Sequence, residues 1–167
     1  PMWGVSFLLS EVAMRAKIFA DDYQRRRAGL LGLPEDASDL EVHTHISEGV
    51  PHAHLVKLLR EGEIDDVVCY QIAQGTSLWI RLAVTMVGGT ALTDSRLSAI
   101  ESDRFCRIVH ALVVAESLFG SRDKARRWLS KPMVRFSGSS PMELLSSTAG
   151  AGLVEELLVQ LADGLVL

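Results

Sequence analysis

Thiols are scarce in this sequence: Cys69 and Cys106 are the only cysteines in 167 residues. Two are too few for a disulfide framework. Both sit beside apolar residues (Val67-Val68-Cys69-Tyr70 and Phe105-Cys106), which suits reduced thiols in a core. Basic charge is not concentrated anywhere. Residues 1–61 carry 7 basic and 9 acidic groups, residues 62–96 carry 2 and 4, and residues 97–167 carry 8 and 8. A protein held on DNA chiefly by phosphate contacts presents a clustered Lys/Arg face, so this balance argues against nucleic acid as the main partner. No apolar run is long enough to span a bilayer. The apolar start, Met2 to Leu9, lacks a cationic leader and is soon interrupted by Glu11, Arg15 and Lys17, so a cytoplasmic protein is expected. Alternating strand patterns and long-period repeats are also missing, which leaves an all-α fold as the expectation.

Local signatures of catalysis are missing too. The chain has no His-Glu-x-x-His, no Gly-x-Ser-x-Gly and no Cys-x-x-Cys. Gly88-Gly89 lacks the Lys-Ser/Thr that completes a phosphate loop. Gly150-Ala151-Gly152 resembles the start of a dinucleotide fingerprint, but Glu155 stands where its third glycine would fall; a turn bringing two helices close together explains the glycines better. His43-x-His45 and His52-x-His54 invite a metal reading, yet residues two apart on a helix point about 200° from each other. Surface or helix-capping histidines are expected instead. No catalytic residue, cofactor or metal site is assigned.

What the sequence does contain is helical punctuation. From Val5 to about Arg27, Val5, Leu8, Leu9, Val12, Ala16, Phe19 and Tyr23 recur at three- and four-residue steps, giving an amphipathic helix. Arg25-Arg26-Arg27 would lie at its end as a solvated terminus facing the negative pole of the dipole, with Gly29, Gly32 and Pro34 stopping it. Ser38 and Glu41 form a capping-box pattern for a short helix ending near Gly49. Pro51 opens the next as its first residue, running to about Arg60. Asp65 or Asp66 starts another, Gly75-Thr76-Ser77 breaks it, and helical spacing resumes from Leu78 to Val87. Ser98-x-x-Glu101 caps a long helix with the apolar stripe Phe105, Ile108, Val109, Leu112, Val113 and Phe119, ended by Gly120. Ser121 opens a helix through Leu129, and Ser140-Pro141-Met142-Glu143 opens another. A final helix carries Leu153, Val154, Leu157, Leu158 and Leu161 before Gly164.

Residues 63–87 have a helix-turn-helix outline, in which Thr76, Ser77 and Arg81 are the candidate DNA-reading residues. The competing reading is a buried helix pair with Leu78, Trp79 and Leu82 as core. Arg122, Lys124, Arg126 and Arg127 form a basic cluster whose first members oppose the dipole of their own helix; it is read either as a solvated face, the commoner arrangement, or as a sign of a partner outside the chain.

Leu97-Ser98 with Glu101-Ser102-Asp103-Arg104, Ala115 with Phe119-Gly120, Ala125 with Trp128-Leu129 and Pro132, Pro141 with Leu144-Leu145, Gly150 with Val154 and Leu157-Leu158, and Gly164 follow one another in order. Together they resemble the toxin-binding domain of the Xre/MbcA/ParS antitoxins. Glu48-Gly49-Val50-Pro51 and the helix pair after it are similar to the family's Xre-type helix-turn-helix half. The resemblance implies a compact all-α protein in three parts: an N-terminal amphipathic helix and linker at 1–37, an Xre-like helix-turn-helix region at 38–96, and a toxin-binding domain at 97–167. It implies an antitoxin of a type II toxin-antitoxin system, without catalysis of its own, that binds and occludes a RES-type toxin. Such toxins consume NAD, by degrading it or by ADP-ribosylation. The toxin-facing residues are then expected among Arg122, Arg126, Lys131, Arg135, Glu156, Gln160, Asp163, Leu165, Val166 and Leu167, the last three either as a tail entering the toxin or as a frayed terminus. A homodimer within a toxin-antitoxin hetero-oligomer is also implied, with autoregulation through operator DNA as a further role. The alternative is a helix-turn-helix transcriptional regulator with no toxin partner.

Overall fold

A computed structural model describes residues 20–87 and 95–164. The described residues are all-α. They form α1 (Ala20–Leu31), α2 (Asp39–Glu48), α3 (His52–Arg60), α4 (Asp66–Ala73), α5 (Leu78–Met86), α6 (Ala99–Phe119), α7 (Arg122–Leu129), a 3₁₀ turn (Val134–Phe136), α8 (Pro141–Leu144) and α9 (Thr148–Ala162). Residues 5–19 of the helix expected from Val5 to about Arg27 lie outside the described residues.

The axis of the fold is α6, 21 residues and therefore about 31 Å long. Its start is fixed by a two-way capping box: Ser98 Oγ accepts from Glu101 N–H, and the Glu101 carboxylate accepts from Ser98 N–H. Its end is fixed by Gly120, left-handed at φ 63°. Between them Phe105, Ile108, Val109, Leu112 and Ala115 make a fully buried stripe. Helices α1, α2, α4, α7 and α9 all pack on α6. One continuous core results, joining Leu30 and Leu31 of α1, Leu55 of α3, Ile72 of α4, Leu78 and Leu82 of α5, Leu129 of α7 and Leu158 of α9.

The halves on either side of residue 97 are stitched together by backbone. His52 N–H donates to Ser95 O (2.9 Å), Leu97 N–H to Val50 O (2.8 Å) and Val50 N–H to Ser102 Oγ (3.1 Å). Gly49 makes this approach possible. It adopts φ 93°, and a Cβ there would lie 2.4 Å from Leu97 O.

Several local expectations change. Arg25, Arg26 and Arg27 lie within α1, not at its end, because the helix runs through Gly29 to bury Leu30 and Leu31. They pair with acids: Arg25 with Asp22 and Glu35, Arg26 with Glu63 and Glu116, Arg27 with Asp39. Pro51 caps α3 from outside the helix. Trp79 is 41% exposed and not core, whereas Leu78 and Leu82 are buried. Gly150 and Gly152 lie inside α9 and do not form a turn, but the expected close approach is real: Gly150 abuts the backbone of Leu144. His45 and His54 do cap a helix, with Nε2 against Leu31 O (2.8 Å) and Leu30 O (2.9 Å) at the end of α1. His52, by contrast, is fully buried. Both cysteines are free; burial pushes the Cys69 thiol up to about 12.

Candidate functional site

Helix α7 divides its residues among three directions. Ser121 caps it, accepting from Lys124 N–H (3.3 Å), and Ala125 and Leu129 fill the core. Arg122 and Arg126, one turn apart, reach the turn between α3 and α4. Arg122 Nη1 meets Glu63 Oε1 at 3.1 Å, and Arg126 Nη2 donates to Gly62 O and Glu63 O, each at 2.7 Å. Arg26 of α1 completes the cluster, pairing with Glu63 (2.8 Å) and holding Glu116 through two hydrogen bonds (3.0 and 3.2 Å). Burial alone would raise the Glu63 carboxyl, but hydrogen bonds and charge from Arg26 and Arg122 hold it below its ordinary value. The expected partner-facing arginines 122 and 126 thus also tie the C-terminal helices to the N-terminal ones.

Lys124, Arg127 and Lys131 occupy a third direction, spaced three and four residues apart. All are exposed, and none has an ion pair among the described residues. They lead into the segment joining α7 to α8. There Met133 N–H donates to Ser139 O (3.1 Å) and Gly138 N–H to Met133 O (2.9 Å), while Ser137 N–H and Ser139 N–H close inner turns onto Val134 O and Phe136 O. Arg135 Nη2 donates to Gln160 Oε1 of α9 at 3.3 Å, so two residues named from sequence are brought together. Glu156 is exposed on the same helix, and Asp163 is its half-buried C-cap. Leu165, Val166 and Leu167 lie outside the described residues.

The other sequence candidates lie at or just after the turn between α4 and α5. Thr76 Oγ1 donates to Ala73 O (2.9 Å) and accepts from Leu78 N–H (3.3 Å), so it shapes the turn; Ser77 is exposed. Arg81 turns inward. It hydrogen-bonds the fully buried Glu101 carboxylate, and its Nη1 lies 3.2 Å from His52 Nε2. Burial opposes ionisation of Glu101, but Arg81, the Ser98 N–H and Thr76 outweigh it and hold the carboxyl below its usual range. The cap of α6 and helix α5 are therefore joined in one polar unit.

Sequence reasoning missed a relay across α1, α6 and α9. Tyr23 Oη lies 2.5 Å from His110 Nδ1, and His110 Nε2 lies 2.7 Å from Glu155 Oε2. With a neutral imidazole, Tyr23 donates to Nδ1 and Nε2–H donates to Glu155. These residues line a cavity of about 250 Å³ together with Arg27, Cys106 and Arg107. Only the histidine at position 110 could have hinted at it, since its partners are 87 and 45 residues away. No group of three His, Cys, Asp or Glu side chains suited to a metal occurs among the described residues, and no described helix is long and apolar enough to cross a membrane.

Residues 114–164, which contain α7, the closed segment and α9, match the family model described as the antitoxin Xre/MbcA/ParS C-terminal toxin-binding domain. Over 158 residues the chain is 40% identical to a protein of Pseudomonas putida KT2440 named antitoxin Xre, covering 92% of this chain and 94% of that protein.

Proposed function

Since the chain belongs to the Xre/MbcA/ParS antitoxin family, we propose that it neutralises a RES-type, NAD-consuming toxin by covering the toxin's active site. It acts by binding, without chemistry of its own, in the cytoplasm as part of a type II toxin-antitoxin pair. The observation that carries this reading is the match of residues 114–164 to a toxin-binding domain in which the segment after α7 is joined to α9 through Arg135 and Gln160. Lys131, Arg135, Glu156, Gln160 and Asp163 are the proposed contacts, together with Leu165, Val166 and Leu167. Arg122 and Arg126 hold that domain against the rest of the fold.

A homodimer within the toxin complex is supported by α5. Ile80 and Val84, one turn apart, are exposed with Trp79 and Met86, an apolar face that a second copy would cover. Operator DNA is a weaker proposal. Thr76 and Ser77 sit at the turn where a reading helix begins, but Arg81 already serves Glu101. The test is expression of the adjacent reading frame with and without this chain, following growth and cellular NAD. The expected result is arrest and NAD loss that this chain reverses. A harmless neighbour, or arrest unaffected by this chain, would overturn the reading.

A further inference from the structure

The segment between α7 and α8 has a feature that packing does not explain. Val134 is 97% exposed, the most solvent-facing of the large apolar side chains among the described residues. It is held there by an ordered frame. Phe136 N–H donates to Met133 O (3.1 Å), Ser137 N–H to Val134 O (2.9 Å) and Gly138 N–H to Met133 O (2.9 Å), while Met133 and Phe136 are half-buried anchors. Ser137, at φ 55°, is the one non-glycine residue with positive φ among the described residues, and Gly138 follows at φ 88°. A left-handed backbone is unfavourable for serine, whose Cβ then crowds the following carbonyl oxygen. The backbone therefore accepts strain to close a turn whose outermost side chain is a valine in water.

The surroundings indicate what that valine would meet. Arg122 and Arg126 face Glu63 and the carbonyls beside it, whereas Lys124, Arg127 and Lys131 run along the outward side of α7 toward the turn without counterions among the described residues. Arg135, next to Val134, is steadied by Gln160. An apolar tip approached by cations fits an apolar pocket rimmed by carboxylates.

We infer that Val134 is the apolar anchor of the toxin interface, entering an acid-rimmed pocket on the toxin while Arg127, Lys131 and Arg135 meet its rim. This deepens the toxin-binding reading and rests on it. The frame orders the tip before binding, so little conformational entropy is lost on association.

The test is calorimetric titration of the full chain, wild type and variants, with the toxin encoded by the adjacent reading frame. Val134→Ala removes about two methylene equivalents of buried surface and should weaken binding about tenfold. Val134→Asp places a charge in an apolar, acid-rimmed pocket and should weaken it on the order of a hundredfold. Lys131→Glu should weaken binding and reduce its salt dependence. Melting temperatures should stay at the wild-type value, because Val134 and Lys131 are exposed; a variant that melts early is set aside for the other two. Wild-type affinity in Val134→Asp would overturn this inference and leave the toxin reading intact. Failure of the wild type to bind would overturn the toxin reading, and this inference with it.

Discussion

Two glycines two residues apart in α9 should respond oppositely to the same methyl group. A Cβ at Gly150 would lie 2.0 Å from Leu144 O, 2.8 Å from Leu144 C and 3.1 Å from its Cα. These are backbone atoms at the end of α8, and no rotamer change relieves them. Ordinary contact begins near 3.4 Å, so α9 would have to retreat by roughly 1.4 Å in a close-packed interior. Overpacking against such a neighbour costs about 3 kcal/mol, and alanine's better helix propensity returns about 1 kcal/mol. The net loss of about 2 kcal/mol lowers the Tm by about 4–8 °C for a protein of this size. At Gly152 a Cβ meets nothing within 4 Å. Gly152→Ala should therefore stabilise by about 0.5–1 kcal/mol, raising the Tm by about 1–4 °C. Thermal unfolding followed by circular dichroism reads both. Toxin titration adds a second readout, because α9 carries Gln160 to Arg135: the Gly150 variant should lose affinity and the Gly152 variant keep it. Two stabilised variants would refute the packing of α9 on α8 described above.

Other outcomes follow from the polar clusters. Glu101→Ala should cost about 2–4 kcal/mol, because it removes the side-chain half of the α6 capping box and the carboxylate facing Arg81 in a buried setting; Glu101→Gln, which keeps the cap acceptor, should cost less, and equal losses in urea melts would contradict the argument. Glu63→Ala should cost only about 1 kcal/mol, since Arg26 keeps Glu116 and Arg122 is half exposed; a loss several times larger would show that the cluster, and not the apolar core, holds the halves together. His52 is held below its ordinary value by burial and then by the charge of Arg81, and His54 by burial and then by Lys57, although its hydrogen bond to Leu30 O opposes this. The unfolded chain then binds these protons first, so stability should be whole above about pH 6.5 and fall as the pH drops through the range below it. Glu101, also lowered, adds to the loss at still lower pH. Urea midpoints across this range check the sign, and His52→Gln should flatten the fall.

Helix starts were legible because their causes are local. The capping boxes at Ser38/Glu41, Ser98/Glu101 and Ser140/Glu143 all close in both directions, and Gly120 adopts the left-handed cap its position suggests. The arginine run was misplaced because burial of Leu30 and Leu31 outweighs the helix-breaking tendency of Gly29, and that burial comes from elements outside the local window. The partners of Arg122 and Arg126 stand some 60 residues away, and no spacing rule reaches them. Val134 went unmarked because a single valine in an irregular segment has no periodicity. The residues that carried the family resemblance prove partly architectural: Gly49, Val50, Leu97, Ser98, Glu101 and Ser102 form the seam between the two halves. They therefore identify the fold, while Lys131, Val134 and Arg135, proposed above to face the toxin, are solvent-exposed side chains of the kind that leave no pattern in a single sequence.

Hydrogen exchange of the full chain, alone and with the toxin encoded beside it, tests the central claim most directly. Slowed exchange concentrated in α7, residues 131–140 and α9 is the predicted result. Protection confined to α4 and α5, or none at saturating toxin, would contradict it.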